Sequence, residues 1–111
     1  MVPTHEKVLI KTPKGVVVRS MDQIVFVKAE GSYSVINFLN GDHFILSKNL
    51  SKIKLPDTIF FRIHASIIVN LRYVRRVEDS LVILSNEQEL PIAKRRRSEF
   101  LSALNSNFTN L

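Results

Sequence analysis

The sequence predicts a mainly β domain, a sandwich or open barrel of small antiparallel sheets with one or two short helices. Three observations lead there. Apolar runs are only three or four residues long and are rich in Val, Ile and Phe, the composition of strands. Turn chemistry separates them at short intervals. The connections are too short for the crossovers that parallel strands need.

Taken in order, Val8-Leu9-Ile10 and Val16-Val17-Val18 flank Thr12-Pro13-Lys14-Gly15 and read as a hairpin. Ile24-Val25-Phe26-Val27 is a third strand, broken by Glu30-Gly31-Ser32. Tyr33 to Leu39 is a fourth, and Asn40-Gly41 is a strong signal for a hairpin into Phe44-Ile45-Leu46. Ser47 is placed to cap a short helix over Lys48 to Lys54, with Leu50 and Ile53 on one face and Pro56 beyond its end. Ile59 to Ile63 and Ile67 to Asn70 are strands around the polar break His64-Ala65-Ser66. Tyr73 to Val77, Leu81 to Leu84 and Gln88 to Ile92 complete about nine strands. Arg95 to Leu104 reads as a final helix with Phe100, Leu101 and Leu104 inward and Arg96, Arg97 and Glu99 in water. Asn105 to Leu111 is a polar end expected to fray.

The 111 residues suit one domain, and no repeat or linker divides residues 1–111. The absence of cysteine excludes disulfides and zinc–thiolate sites and fits a cytoplasmic setting. No apolar run approaches the roughly 20 residues of a membrane span, and residues 1–6 lack the apolar segment of a signal peptide. Catalysis has little to build on. His5, His43 and His64 lie in unrelated contexts, the carboxylates beside two of them (Glu6 by His5, Asp42 by His43) are only chain neighbours, and three glycines cannot make a phosphate-binding loop. The expectation is a protein that is not an enzyme and carries no metal or cofactor.

The formal net charge is +6. A basic domain attracts polyanions, because each neutralised phosphate releases condensed counterions. The charge is concentrated in Lys94-Arg95-Arg96-Arg97, where the last strand hands over to the last helix. Cations there oppose the helix dipole unless an anion arrives. His64-Ala65-Ser66, a polar patch between apolar flanks, reads as a loop held rigidly by the core, a suitable place for recognition.

Four stretches carry a resemblance. They are Ile24 to Ser34 (Ile-Val-Phe-Val-Lys-Ala-Glu-Gly-Ser-Tyr-Ser), Leu46 to Ile53, Phe60-Phe61-Arg62-Ile63-His64-Ala65-Ser66-Ile67-Ile68-Val69-Asn70, and Leu90-Pro91-Ile92-Ala93-Lys94-Arg95-Arg96-Arg97. Together they resemble the LytTR family, the DNA-binding output domains of bacterial response regulators, over a core from about residue 8 to 104. The Phe-x-Arg-x-His…Val-Asn spacing is the most specific of them. The resemblance implies an elongated β fold that binds double-stranded DNA through loops entering successive major grooves, for transcriptional regulation. Carried over position by position, the contacts would be Ser32 and Tyr33, then His64, Ala65 and Ser66, then Lys94, Arg95, Arg96 and Arg97. Arg62 and Asn70 would support the loops through hydrogen bonds. Ala65 and Ala93 stand where many members have polar side chains, which implies altered specificity or weaker affinity. The implied partners are tandem direct-repeat DNA sites, a second copy on DNA, and an upstream receiver domain or sensor kinase if the chain belongs to a longer protein. The competing readings are an RNA- or single-strand-binding β module, which needs exposed aromatics, and a protein-interaction domain with an incidental basic face.

Overall fold

A computed structural model describes residues 6–111; His5 lies outside them. Among the described residues the chain is mainly β, with ten short strands, four single 3-10 turns and one α-helix. The contacts divide it into two compact units, residues 1–54 and 55–111.

The first unit opens with the hairpin of β1 (Lys7–Thr12) and β2 (Gly15–Ser20), paired from Lys7↔Ser20 to Thr12↔Gly15. Its two-residue turn Pro13-Lys14 is closed by the Thr12 hydroxyl, which donates to the Gly15 carbonyl at 3.0 Å. A meander follows: β3 (Ile24–Glu30), β4 (Tyr33–Phe38) and β5 (His43–Leu46), antiparallel in that order. Ile24 to Val27 are all buried, so their continuous apolar run reflects a strand covered on both faces.

The Asn40-Gly41 hairpin forms, but its loop has three residues. Gly41 N–H bonds the Phe38 carbonyl at 3.0 Å, Phe38 N–H bonds Asp42 O at 2.8 Å, and Gly41 sits at φ +95°. This is the arrangement in which a type I turn ends in a left-handed glycine. Arg19 anchors it, bonding Asp42 at 3.0 Å and lying 4.6 Å over the Phe38 ring. The Asn40 side-chain amide, with Arg19 second, holds the Asp42 carboxyl below the usual carboxylate range. These bonds therefore persist at neutral pH and are lost only as pH falls through that lowered value.

The expected helix over Lys48 to Lys54 is only a 3-10 turn, Leu50–Lys52, and Ser47 does not cap it. The Lys48 carbonyl accepts instead from the buried Ser34 hydroxyl at 2.8 Å. That bond engages the Lys48 carbonyl where a helical turn was expected to begin; the chain bends at Ser47 and Lys48 and is extended at Asn49.

In the second unit, β6 (Phe60–His64) and β7 (Ile67–Asn70) form a hairpin. β8 (Val74–Val77), β9 (Leu81–Leu84) and β10 (Glu89–Pro91) form an antiparallel sheet with β9 central. A 3-10 turn, Lys94–Arg96, leads into α1 (Arg97–Asn107). Phe100 is fully buried and stacks at 5.4 Å, tilted, on Phe61 of β6; Leu101 and Leu104 are half-buried. The helix thus starts two residues later than expected and continues through Asn107.

Asn70 is a polar side chain with no exposure. Its Oδ1 accepts the Arg72 N–H at 2.9 Å and caps the 3-10 turn Leu71–Tyr73. Asn70→Ala is expected to cost roughly 0.5–2 kcal/mol, because the turn loses its side-chain cap. Urea unfolding checks this, and an unchanged midpoint would contradict it.

Candidate nucleic-acid interface

The second unit holds most of the candidate residues. At the end of β6 the register slips between Arg62 and His64. Such a bulge re-aims the side chains at a strand end. The turn that follows is closed by its own side chains. His64 Nδ1 accepts the Ser66 N–H at 3.1 Å and lies 3.0 Å from the Ser66 hydroxyl. With Nδ1 accepting, the proton of the neutral ring sits on Nε2, which leaves a donor free for another partner. The Arg62 guanidinium, three residues earlier in the chain, donates to the Ala65 carbonyl. Its Nε is buried and has no hydrogen-bond partner among the described residues. Ala65 is exposed at the tip, with His64 and Ser66 half-buried beside it.

The basic run is fastened next to this turn. Ala93 N–H bonds the Ile63 carbonyl at 2.8 Å, and Arg96 N–H returns to Ala93 at 2.9 Å. The 3-10 turn Lys94–Arg96 therefore starts beside the residue that precedes His64. Its four cations have different surroundings. Lys94 and Arg95 are exposed, whereas Arg96 and Arg97 are half-buried. The expectation that Arg96 and Arg97 stay in water is thus corrected. Arg96 Nε is buried without a partner among the described residues. Arg97 turns toward the β8–β9 turn, donating to the Glu78 carbonyl at 3.2 Å and reaching Asp79 at 4.0 Å. The exposed charge of the run is therefore carried by Lys94 and Arg95.

Much of the remaining positive charge is compensated locally. Arg75 pairs with Glu87 and Arg76 with Glu78. Among the described residues no ion pair uses Lys94 or Arg95. The charge available to a partner in this unit is therefore more focused than the residue count suggests.

In the first unit, Ser32 and Tyr33 lie at the β3–β4 turn. Glu30 pairs with Tyr33, so Gly31 and Ser32 alone make the connection, with Gly31 at φ +64°. A glycine at the first central position suits this tight hairpin turn. Ser32 is exposed, and Tyr33, the first residue of β4, is 42% exposed. Ser34 points the other way and is buried, as strand alternation requires.

The position of Lys94 beside the His64 turn had no signal in the sequence. It depends on a backbone bond between residues 30 apart, Ala93 and Ile63. The Arg97–Glu78 contact was likewise invisible, since it uses a carbonyl that any residue would supply. Among the described residues no cluster of His, Cys, Asp or Glu could hold a metal ion. No helix there is long and apolar enough to cross a membrane.

Comparison with known proteins agrees with this architecture. A solved structure described as the LytTr DNA-binding domain of a methyl-accepting/DNA response regulator from Bacillus cereus superimposes with a TM-score of 0.76. It is 21% identical, and the match covers 89% of this chain and 96% of that one. A search of curated proteins finds no match. The LytTr DNA-binding domain profile matches residues 14–105. With most of its length matched by that profile, and with the same fold, the chain belongs to the LytTr DNA-binding domain family.

Proposed function

We propose that this chain binds double-stranded DNA sequence-specifically to regulate transcription, and that its two units act together as one domain. The observation that carries the proposal is the pairing of the closed His64–Ser66 turn with the exposed Lys94 and Arg95, which make no ion pair among the described residues. Lys94 and Arg95 reach guanine O6 and N7 in a major groove, the commonest base-specific contact. The Tyr33, Ser32 and Ser66 hydroxyls bond phosphate oxygens and set the register. The His64 Nε2–H is a further donor, and Ala65 at the tip offers a methyl to a thymine methyl. Arg96 and Arg97 add to the field more than to the contacts, while Arg62 and Asn70 hold the loop geometry. In this reading the domain works without catalysis, in the cytoplasm, on tandem direct repeats occupied by two copies. A receiver domain would control it where the chain is part of a longer response regulator.

A single-strand-binding role has less support. Besides Tyr33, the one large aromatic exposed among the described residues is Phe108, near the chain end. A stacking platform needs several exposed rings together.

Selection on random duplex DNA tests the proposal, followed by titration of the enriched site at several salt concentrations. The expected result is one enriched motif, bound with a log–log salt slope of about −0.9 for each phosphate contacted. Absence of enrichment, or a flat salt response, would overturn it.

A further inference from the structure

The outer face of the β1–β2 hairpin is apolar and open. Leu9 and Val18 face each other across the two strands, and Val16 lies two residues from Val18 on the same side. They are 61%, 56% and 57% exposed. Ile45 of β5, 59% exposed, lines one groove with Leu9, Lys11 and Lys48, so the four apolar side chains form one patch. Single exposed apolar residues are ordinary; a contiguous patch rimmed by polar groups marks an interaction surface.

The rim is cationic. Residues 7–20 contain Lys7, Lys11, Lys14 and Arg19 and no acid. Arg19 is engaged by Asp42, but no ion pair among the described residues uses the three lysines or Lys48. Lys7 and Lys11 share the Leu9 side of β1, since side chains alternate along a strand.

We infer that this face docks an acidic segment of a partner protein, with apolar side chains at its centre and carboxylates at its ends. Charge complementarity selects that occupant. A second copy would bring the same lysines face to face. Duplex DNA would satisfy the lysines but leave Leu9, Val16, Val18 and Ile45 against phosphates. Residues 1–5, Met-Val-Pro-Thr-His, carry no carboxylate to match the rim. The inference uses none of the residues assigned to DNA, so the two readings stand or fall separately.

The test titrates the isotope-labelled full chain with the peptide Glu-Asp-Val-Leu-Val-Leu-Asp-Glu, capped at both ends, and follows backbone amide shifts. Saturable shifts confined to β1, β2, β5 and Lys48 are expected. Binding should weaken at least tenfold with a peptide carrying Gln and Asn in place of the acids, and likewise with Ser in place of the apolar residues. Lys11→Glu, and separately Leu9→Thr, should weaken it while leaving the remaining amide spectrum in place. Several results would overturn the inference: no saturable shift, equal binding of the uncharged peptide, or shifts centred elsewhere. So would random duplex DNA shifting the same amides, or concentration-dependent shifts there without peptide, which would mean a second copy.

Discussion

Phe100→Ala should destabilise the protein by about 3–5 kcal/mol, the usual cost of deleting a fully buried Phe ring. Phe100 has no exposed surface and stacks on Phe61 across the α1–β6 contact. The loss combines the transfer free energy of the ring, the cavity left behind and the aromatic contact, itself worth about 0.5–1.5 kcal/mol. Domains of this kind are stable by only about 5–15 kcal/mol, so a large share of the total is at stake. Phe61→Ala should cost less, because Phe61 is half-buried. Phe100→Leu keeps most of the volume and should also lose less than Phe100→Ala. Urea unfolding of the three variants checks the ranking. Equal midpoints for Phe100→Ala and the parent would contradict the packing described for α1.

The consequence reaches the candidate interface, since α1 follows directly from the 3-10 turn Lys94–Arg96. Phe100 fixes the helix, and the Ala93–Ile63 bond fixes the turn before it. Two independent attachments therefore hold Lys94 and Arg95. Residues that carry base contacts on short, anchored segments lose less conformational entropy on binding than residues on free loops.

How far the sequence could be read depended on where its information lay. Strands such as Ile24 to Val27 and Ile67 to Val69 were legible because burial on both faces demands an unbroken apolar run. The Asn40-Gly41 hairpin was legible for its glycine, although the loop proved one residue longer than the two-residue turn that this dipeptide favours. The segment after Ser47 was misread. Its helix signals were local, and the decisive bond, Ser34 to the Lys48 carbonyl, comes from a strand 14 residues away. The basic run shows the same division. Its composition was plain, but how four adjacent cations divide between surface and interior follows from the helix start and from the Glu78 carbonyl. Of the candidate site, residue identities were legible and the adjacency of Lys94 to the His64 turn was not.

That division leads to the second large effect expected. Arg95→Ala should relax base preference at one position of the selected DNA site and cost roughly 1–3 kcal/mol against the preferred sequence, the value of a bidentate guanine contact. Arg97→Ala should behave differently. Arg97 is tied to Glu78 and Asp79, so its loss should weaken all sequences about equally and leave the preferred motif intact. Arg75→Ala is a further control, because Arg75 already has Glu87 as a partner and exposed pairs of this kind contribute only about 0–1 kcal/mol. Parallel site selections with the three variants separate the roles. If Arg95→Ala and Arg97→Ala lost the same preference at the same base, the split of the basic run into an outward reading pair and an inward supporting pair would be wrong. If Arg95→Ala left the motif unchanged while still weakening binding, Arg95 would be a phosphate contact, and base reading would pass to Lys94 or to the His64 turn.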